Sequence, residues 1–361
     1  MLTVHKFGMG GADRVCAYIA RGFAEAGFET EVIVFSPAGD TAEALAPLFG
    51  DDVKLTCLAG EGRSRTTDLI RQFPAFVRRL NAARPDCLMS TGNAMNWITT
   101  LGRRQSSLPD CRLVLKTTNP IIRAADNFVV ATLRGAGYDR AFQAADRVLT
   151  LSDAETAQLR AAFPRAADRF RTAINPYVTP RMLMPSSLPV ESGLVLGVGR
   201  FEPQKRFDLL LRAFALTKDR RSRLILLGDG ADRPALQQLA TGLGIADRVE
   251  MPGFVTDVAP WFARADLFVL SSVYEGLPAV VLEAMANNCP VLSTDCFPAA
   301  RELVGTAEGC AVLTDADPNQ LARLIELGLN RPRPTQLRAR AEHYSIANAV
   351  SSHVAEIRDL S

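Results

Sequence analysis

The amino-acid sequence predicts an α/β protein built from two doubly wound, Rossmann-like domains that face each other across a cleft. Short apolar runs alternate with helical patterns along most of the chain, as in parallel sheets covered by helices. The alternation lapses between Asn175 and Pro189, where four prolines occur, and then starts again. A chain of 361 residues is long enough for two domains of ordinary size.

The domain boundaries follow from this lapse. We predict a first domain at residues 1–178, a linker at 179–190 and a second domain at 191–344. The segment 345–361 follows the second predicted sheet, and we expect it to form a helix that packs back on the first domain. The chain is short before Leu2, which leaves open whether its amino terminus is clipped.

In the first half, apolar runs of strand length precede segments with helical periodicity. A glycine turn at residues 8–11 separates the first run from the first helix, and Gly27 ends that helix. The strands predicted here are 2–7, 30–35, 87–90, 112–116 and 147–151, and the helices are 12–26 and 67–82.

The second half repeats the pattern and so predicts a second parallel sheet. Its predicted strands are 194–198, 223–227, 248–251, 267–270 and 291–293. Its predicted helices are 206–218, 231–243, 257–264, 279–288 and 318–329.

Composition and charge exclude several classes of protein. Apolar residues make up 48% of the chain and charged residues 22%, which is typical of a soluble globular protein. A formal net charge of +2 argues against a nucleic-acid-binding protein. The apolar runs are too short to span a bilayer, and the start is too short for a secretory signal. We therefore expect a cytoplasmic protein.

The cysteines and histidines indicate free thiols rather than a metal site. Seven cysteines occur without a C-x-x-C pair, and the three histidines lack metal-ligand spacing. Asp315 and Asp317 match a D-x-D pattern by which some enzymes hold a metal, but Pro318 follows directly. We therefore expect Asp317 to cap a helix, and we predict neither a metal nor a cofactor.

The most informative segment runs from residue 266 to residue 286. A short buried strand is followed by a glycine and Pro278, after which a helix begins. The first-turn N–H groups of a helix attract anions, and ligands bind at the carboxyl edge of a parallel sheet, so this segment predicts a diphosphate site. Glu275 lies in the loop and Glu283 about one turn inside the helix, so one carboxylate can reach past the phosphates. This pattern is typical of a nucleotide-sugar site.

A basic turn follows the first strand of the second half. Gly199, Arg200 and Lys205 lie between that strand and the next helix. Cations there can neutralise a diphosphate, at about 1.5–3 kcal/mol for each charge-assisted bond. The alternative is a solvated basic turn that binds no ligand. The run is not a dinucleotide fingerprint, because Glu202 occupies the position of the third glycine.

Other candidate ligand residues also lie near the ends of predicted strands. Gly253, Phe254 and Val255 could hold a base, although a core position is the alternative for Phe254. In the first half, Gly10 and Gly11 let the backbone approach a ligand before a helix opens. Further polar residues could line the cleft, although each is as common in caps and turns. These residues are Asn96, Thr118, Asn119 and Asn175.

Residues 63–84 combine six arginines with a single acidic residue, Asp68. Apolar residues recur in this segment with helical spacing, which predicts a surface helix whose apolar face packs in the core. The alternative is a basic face that meets anionic lipid, which would place the protein peripherally on the inner face of a membrane.

These motifs resemble those of GT-B-fold retaining glycosyltransferases of family 4, often called group 1 glycosyl transferases. The resemblance covers nearly the whole chain. Its most specific parts are the spacing between Glu275 and Glu283 and the run from Asp295 to Glu302. The remaining motifs are residues 10–15, 199–205, 228–230 and 249–253.

The resemblance implies a metal-independent, retaining hexosyltransferase that uses a nucleotide-diphosphate sugar. Its acceptor would be a saccharide or lipid-linked molecule in lipopolysaccharide, capsule or glycolipid synthesis. Many members carry a histidine in the first domain, where this chain has the segment 116–120 instead. A mechanism that needs an imidazole at that place is therefore not expected.

The resemblance also implies roles for individual residues. Arg200 and Lys205 would bind the diphosphate, Glu283 the ribose and Glu275 the transferred sugar, and we expect catalysis to depend on Glu275, Arg200 and Lys205. The donor-binding residues implied are Gly10, Gly11, Arg200, Lys205, Gly253, Phe254, Val255, Glu275, Gly276, Leu277, Pro278 and Glu283.

Three other functions fit parts of the pattern. A glycoside hydrolase also uses two carboxylates, but both must flank one scissile bond. A nicotinamide oxidoreductase would need the dinucleotide fingerprint. A non-catalytic protein of the same fold that binds a nucleotide or sugar is the third alternative.

Overall fold

The computed structural model describes residues 1–6, 11–36, 45–58, 65–122, 128–329 and 331–360. The chain divides into two compact units. The first unit comprises Met1–Pro176 together with Ile346–Ser361, and the second comprises Tyr177–Ser345. The division thus falls at residue 176, and residues 179–190, which the sequence predicted as a linker, belong to the second unit.

Within its described residues, the first unit contains a parallel sheet of seven strands in the order β3-β2-β1-β4-β5-β6-β7. The strands are β1 (Leu2–Val4), β2 (Thr30–Val34), β3 (Val53–Cys57), β4 (Cys87–Ser90), β5 (Arg112–Lys116), β6 (Arg147–Thr150) and β7 (Phe170–Thr172). The helices are α1 (Gly11–Glu25), α2 (Arg65–Ala83), α3 (Asn93–Gln105), α4 (Phe128–Ala144) and α5 (Asp153–Ala162).

The second unit contains a parallel sheet of six strands, counted over its described residues, in the order β10-β9-β8-β11-β12-β13. The strands are β8 (Leu194–Val198), β9 (Arg223–Leu227), β10 (Val249–Gly253), β11 (Leu267–Leu270), β12 (Val291–Thr294) and β13 (Ala311–Leu313). The helices are α6 (Phe207–Ala215), α7 (Arg233–Gly242), α8 (Ala259–Arg264), α9 (Ala279–Ala286), α10 (Ala300–Leu303), α11 (Pro318–Leu329) and α12 (Leu337–Glu342).

Both sheets have the strand order of a doubly wound Rossmann-like fold, which confirms the predicted fold class. In each sheet the chain leaves two neighbouring central strands in opposite directions. These strands are β1 and β4 in the first sheet and β8 and β11 in the second. The carboxyl ends of such a strand pair form the switch point of the sheet. Open α/β sheets bind ligands in the crevice that opens there.

The last helix, α13 (Ile346–Arg358), belongs to the first unit. It packs against α1, where Val350 lies directly over Gly22. A Cβ on Gly22 would lie 2.4 Å from a methyl carbon of Val350, so the two helices approach more closely than a larger residue allows. Among the described residues, no helix combines the length and apolar character needed to cross a membrane.

Candidate active site

A shielded ion pair joins two loops at the switch point of the second sheet. The Nζ of Lys205 lies 2.6 Å from Oε1 of Glu275, and the hydroxyl of Ser272 donates to the same oxygen at 2.7 Å. Only 15% of the Lys205 side chain and 10% of the Glu275 side chain are exposed. Because Lys205 follows β8 and Glu275 follows β11, the pair lies where a doubly wound sheet binds its ligand.

Further hydrogen bonds hold the same two loops together. The backbone N–H of Val273 donates to the carbonyl of Gln204, and the Gln204 side chain donates to the carbonyl of Tyr274, both at 2.8 Å. The hydroxyl of Ser271 donates to the carbonyl of Lys205 at 2.8 Å. These bonds fix the ion pair in place through the backbone of both loops, so the site is preorganised.

The turn that carries Lys205 has a constrained backbone. Arg206 adopts a φ of 50°, a left-handed conformation that costs a residue with a side chain about 1–2 kcal/mol. Gly199 lies against the aliphatic part of Lys205, and a Cβ there would approach Cε of the lysine to 3.1 Å. Such strain is often stored at functional sites, and here it adjoins the lysine.

Helix α9 begins beside the ion pair at the residue that the sequence predicted. Pro278 is its N-cap, and no side chain in the described part of the chain caps the first turn. The leading N–H groups of this helix are therefore suited to an anion. Leu277 is buried and anchors the turn after Gly276, while Glu283 lies inside the helix with 4% of its surface exposed.

Arg200 takes no part in the ion pair. Its side chain is 71% exposed and lies 3.0 Å from a carboxylate oxygen of Glu202. An exposed pair of this kind contributes little to stability, at about 0–1 kcal/mol, so Arg200 can exchange Glu202 for another anion at small cost.

Glycines occupy the carboxyl ends of three adjacent strands in the second sheet. The N–H of Gly228 donates to the carbonyl of Gly253 at 2.9 Å, and these two residues have φ values of 133° and 102°. A Cβ on Gly228 would lie 1.9 Å from the carbonyl oxygen of Gly199. The strand ends therefore approach as closely as they do because these positions lack side chains.

Phe254 and Val255 directly follow Gly253, the last residue of β10. The Phe254 ring is 60% exposed, which rules out the core position considered as its alternative, and Val255 is half-buried. An exposed aromatic ring at the carboxyl edge of the sheet is suited to a flat ligand such as a base.

Arg233 was not predicted as a site residue, yet it connects the carboxyl ends of β9 and β10. Its guanidinium donates to a carboxylate oxygen of Asp229 at 2.8 Å and to the carbonyls of Met251 and Gly228 at 3.0 and 3.1 Å. It also lies over the Phe201 ring, 5.1 Å from the centroid. An arginine in the first turn of a helix opposes the helix dipole, and this mismatch is the sequence signal that could have identified it.

We expect Gly228→Ala to destabilise the second unit by about 3 kcal/mol, because the new methyl group meets Gly199 and the backbone is strained. Denaturant unfolding followed by Trp261 fluorescence in a Trp97→Phe background measures this unit. Gly242→Ala is the matched control, since no atom lies within 4 Å of its added methyl group. Equal stability of the two variants would contradict the proposed close approach.

Of the residues predicted in the first half, Gly10 lies outside the described residues and Gly11 is the first residue of α1. Thr118 and Asn119 follow β5 and are held by Asn93 after β4. The Asn93 side chain accepts from the Thr118 N–H at 2.9 Å and donates to the Asn119 carbonyl at 2.7 Å. The loops after β4 and β5 are thereby joined.

Asn96 and Asn175 are buried, with 0% and 2% of their surfaces exposed. The Asn96 amide lies 2.5 Å from the Ser90 hydroxyl inside the first unit. Such complete burial favours a structural role for both residues over contact with an acceptor.

A buried lysine lies in the segment where many family members were expected to have a histidine. Lys116 donates to the carbonyl of Ala173 at 3.3 Å and to Nε2 of His353 at 3.0 Å. Burial lowers the pKa of Lys116 to about 7, although the carboxylate of Glu155 acts in the opposite direction. Burial also lowers the pKa of His353 well below its usual value, so this imidazole is neutral and accepts.

The two aspartates of the D-x-D pattern lie at the start of α11. Asp317 accepts from the backbone N–H groups of Asn319 and Gln320, each at 3.2 Å, and so caps the helix as predicted. These bonds lower the pKa of Asp317. No three His, Cys, Asp or Glu side chains come together as a metal site within the ranges that the structure describes.

The basic helix α2 buries Phe76 and Leu80 completely, as expected of a surface helix. Ile70, Arg71 and Arg78 lie on its exposed side, and Ile70 is 70% exposed. Contact of this face with lipid stays a prediction.

Two family models match the chain in succession. A "Glycosyl transferase 4-like domain" matches residues 10–176, and "Glycosyl transferases group 1" matches residues 192–330. The chain belongs to the group 1 glycosyl transferases. The predicted family resemblance is therefore confirmed, and the Lys205–Glu275 pair of this group 1 glycosyl transferase lies within the second match.

Curated relatives of this group 1 glycosyl transferase include the lipopolysaccharide core biosynthesis glycosyltransferase LpsE of Rhizobium meliloti (strain 1021). It is 42% identical over 106 residues, which cover 29% of this chain and 31% of that protein. A D-inositol 3-phosphate glycosyltransferase of Streptosporangium roseum is 30% identical over 234 residues, covering 59% of this chain and 53% of the relative. The chain thus spans about a third to a half of these relatives.

Among solved structures, the Anabaena protein HepE in complex with UDP and glucose superimposes with a TM-score of 0.78 at 19% identity. The superposition covers 99% of this chain and 98% of HepE. At this identity the likeness establishes the GT-B fold and nothing finer.

Proposed function

We propose that this chain transfers a hexose, with retention of configuration and without a metal, from a nucleotide-diphosphate donor to a saccharide or lipid-linked acceptor. The observation that carries the proposal is the Lys205–Glu275 pair, which adjoins the start of α9 at the switch point of the second sheet. A cation and a helix N-terminus beside a carboxylate are suited to a diphosphate joined to a sugar.

The donor diphosphate would bind between Lys205 and the first turn of α9. Arg200, which is exposed and paired to Glu202 at the surface, can swing to the same phosphates. Glu283 would receive the ribose, while Gly253 and Phe254 would hold the base. In this arrangement protein cations supply the charge neutralisation that a divalent metal supplies in other enzymes.

The reaction would proceed by substitution on one face of the donor sugar. The bond from C1 to the diphosphate oxygen breaks as a bond from C1 to the acceptor oxygen forms, and the acceptor proton passes to the departing diphosphate. Lys205 and the α9 terminus would stabilise the charge that develops on that diphosphate. Glu275, which already accepts hydrogen bonds from Lys205 and Ser272, would orient the sugar rather than attack it.

The same contacts bear on the alternative functions. In a glycoside hydrolase the carboxyl groups act as acid, base or nucleophile at one bond. Glu275 is instead held by a lysine at 2.6 Å, which favours a fixed carboxylate. A non-catalytic binding protein of the same fold would keep the donor site but would release no nucleotide.

The proposed class of acceptor is based on the names of two relatives. One is a lipopolysaccharide core enzyme, and another acts on an inositol 3-phosphate, as their names state. We therefore propose a saccharide or lipid-linked acceptor in bacterial glycan synthesis. A cytoplasmic location and a peripheral contact with the membrane through α2 stay predictions.

Nucleotide release from UDP-, GDP- and ADP-sugars, with and without EDTA, tests the proposal. UDP-glucose comes first, because the HepE neighbour was solved with UDP and glucose. We expect one donor to release its nucleotide at a rate that EDTA leaves unchanged, and NMR of the product to show retained configuration. Loss of release with EDTA would overturn metal independence, and binding without release would favour the non-catalytic alternative.

A further inference from the structure

The loop of residues 271–278, which carries Glu275, is held by residues from both of the strands that flank β11. On one side, Gln204 and Lys205 after β8 bond to it as described above. On the other side lies β12, which pairs with β11 and ends at Thr294. A contact on the β12 side can therefore be removed while the turn that carries Lys205 stays intact.

Two hydrogen bonds join the end of β12 to this loop. The Thr294 hydroxyl donates to the carbonyl of Ser272 at 2.7 Å, and the backbone N–H of Glu275 donates to the carbonyl of Cys296 at 2.7 Å. The Ser272 hydroxyl in turn donates to Oε1 of Glu275 at 2.7 Å. The bonds thus form a chain from Thr294 through Ser272 to the carboxylate that Lys205 also binds.

The members of this chain are shielded from solvent. Thr294, Ser272 and Glu275 are all buried, whereas Val273 between the last two is 47% exposed. A buried carbonyl that loses its donor costs free energy, so the loop backbone is expected to shift if the Thr294 hydroxyl is removed. A shift at Ser272 would move the hydroxyl that orients Glu275.

The end of β12 acts on Glu275 by position rather than by charge. Burial raises the pKa of the Cys296 thiol to about 12, so this thiol is neutral at physiological pH. The carboxylate of Asp295 is paired with the guanidinium of Arg301 at 2.8 Å. What β12 supplies to Glu275 is therefore a set of hydrogen bonds.

Resting on the proposed function, we propose that Thr294 is a positioning residue, which acts through Ser272 to hold the Glu275 carboxylate in the orientation that the donor sugar requires. Thr294 itself does not contact the donor in this arrangement. Because Glu275 would orient the sugar during transfer, a displaced carboxylate lowers the rate of transfer more than it weakens binding of the nucleotide.

Thr294→Val tests this role, because valine resembles threonine in shape but lacks the hydroxyl. We expect kcat at saturating donor to fall roughly 10- to 100-fold, since a small displacement of an orienting group has an effect of this size. UDP has no sugar, so its Kd is expected to stay within about twofold of the wild-type value. Thr294→Ser keeps the hydroxyl and should restore most of the turnover.

Thr217→Val is the matched control. Thr217 is buried in the same unit, and its hydroxyl donates to the carbonyl of Phe214 at 2.7 Å, outside the loops that hold the ion pair. We expect both valine variants to have a lower melting temperature, whereas only Thr294→Val loses turnover. Equal turnover of the two variants would assign Thr294 to stability alone.

A double-mutant cycle measures whether Thr294 acts through Glu275. In a Glu275→Ala background we expect Thr294→Val to change the residual kcat less than about twofold, because the carboxylate that it positions is gone. A further loss of about tenfold in that background would overturn the inference. If Thr294→Val does not fold, Ser272→Ala takes its place in the same cycle, since it removes the next bond of the chain.

Turnover of the wild type keeps the two proposals apart. If the wild type transfers sugar and Thr294→Val matches it, the inference fails and the proposed function stands. If the wild type transfers no sugar from any of the three donors, the proposed function fails and the inference fails with it.

Discussion

Replacing Lys205 with methionine is expected to lower turnover about 10²- to 10³-fold, because the leaving diphosphate of the proposed reaction would lose the cation fixed beside it. Its loss also leaves the mostly buried carboxylate of Glu275 without a counterion, which we expect to destabilise the second unit by about 3 kcal/mol. Turnover with saturating donor and the free energy of unfolding are measured on the same protein. Near-normal turnover in this variant would contradict the diphosphate role.

The double variant Lys205→Met, Glu275→Gln separates the two effects. It leaves no unpaired charge at this position, so we expect stability to recover toward the wild-type value while turnover stays low. If turnover also recovers, the pair acts in folding rather than in catalysis. The single variant Glu275→Gln keeps an oxygen for Ser272 and completes the cycle.

Stability of the first unit is expected to rise with pH between about 7 and 10.5, in line with the lowered pKa of buried Lys116. The unfolded chain binds a proton at this residue in that range and the folded chain does not, so raising the pH favours folding. A shift from 10.5 to about 7 corresponds to about 5 kcal/mol over the whole range, at 1.36 kcal/mol per pKa unit. Below about pH 7 the charged amine stays buried and this stability is absent.

The comparison with Lys116→Met measures this effect. Between pH 7 and 9 we expect the wild type to gain about 2.5 kcal/mol relative to the variant. Trp97 fluorescence in a Trp261→Phe background follows the first unit. Parallel stability curves for the two proteins would contradict the assignment.

His353 makes the stability of the first unit depend on pH at lower pH as well. Its folded-state pKa is lowered, so the stability it contributes is complete above its unfolded value of 6.5 and is lost as the pH falls further. We expect His353→Leu to remove this acid-side loss of stability, measured in the same background.

The central strands were predictable because they are buried on both faces. β4, β5, β8, β9 and β11 have the predicted bounds, since continuous apolar runs identify them. The strands missed, β3, β7 and β13, all lie at sheet edges. In β3 only Val53 is buried and Leu55 is 39% exposed, so no apolar run is present to indicate a strand.

The candidate site was predictable where its residues lie in short, recognisable stretches of sequence. Lys205 and Glu275 follow recognisable strands, and the helix after Pro278 begins as expected. The contact between Lys116 and His353 was not predictable, because the residues lie 237 positions apart and neither stands in a motif. The bond from Thr294 to Ser272 was not predictable either, because 22 positions separate the two residues.

Because α13 follows the second unit in the sequence but belongs to the first unit, the first unit cannot be completed during synthesis until the second unit has been made. The ribosome must make the whole second unit before residues 346–358 emerge, and until then Lys116 has no imidazole to bond. In a fragment that stops at residue 176, Lys116 would lack the His353 imidazole permanently. Recombinant work on the isolated first unit therefore calls for a fusion that splices α13 back onto it.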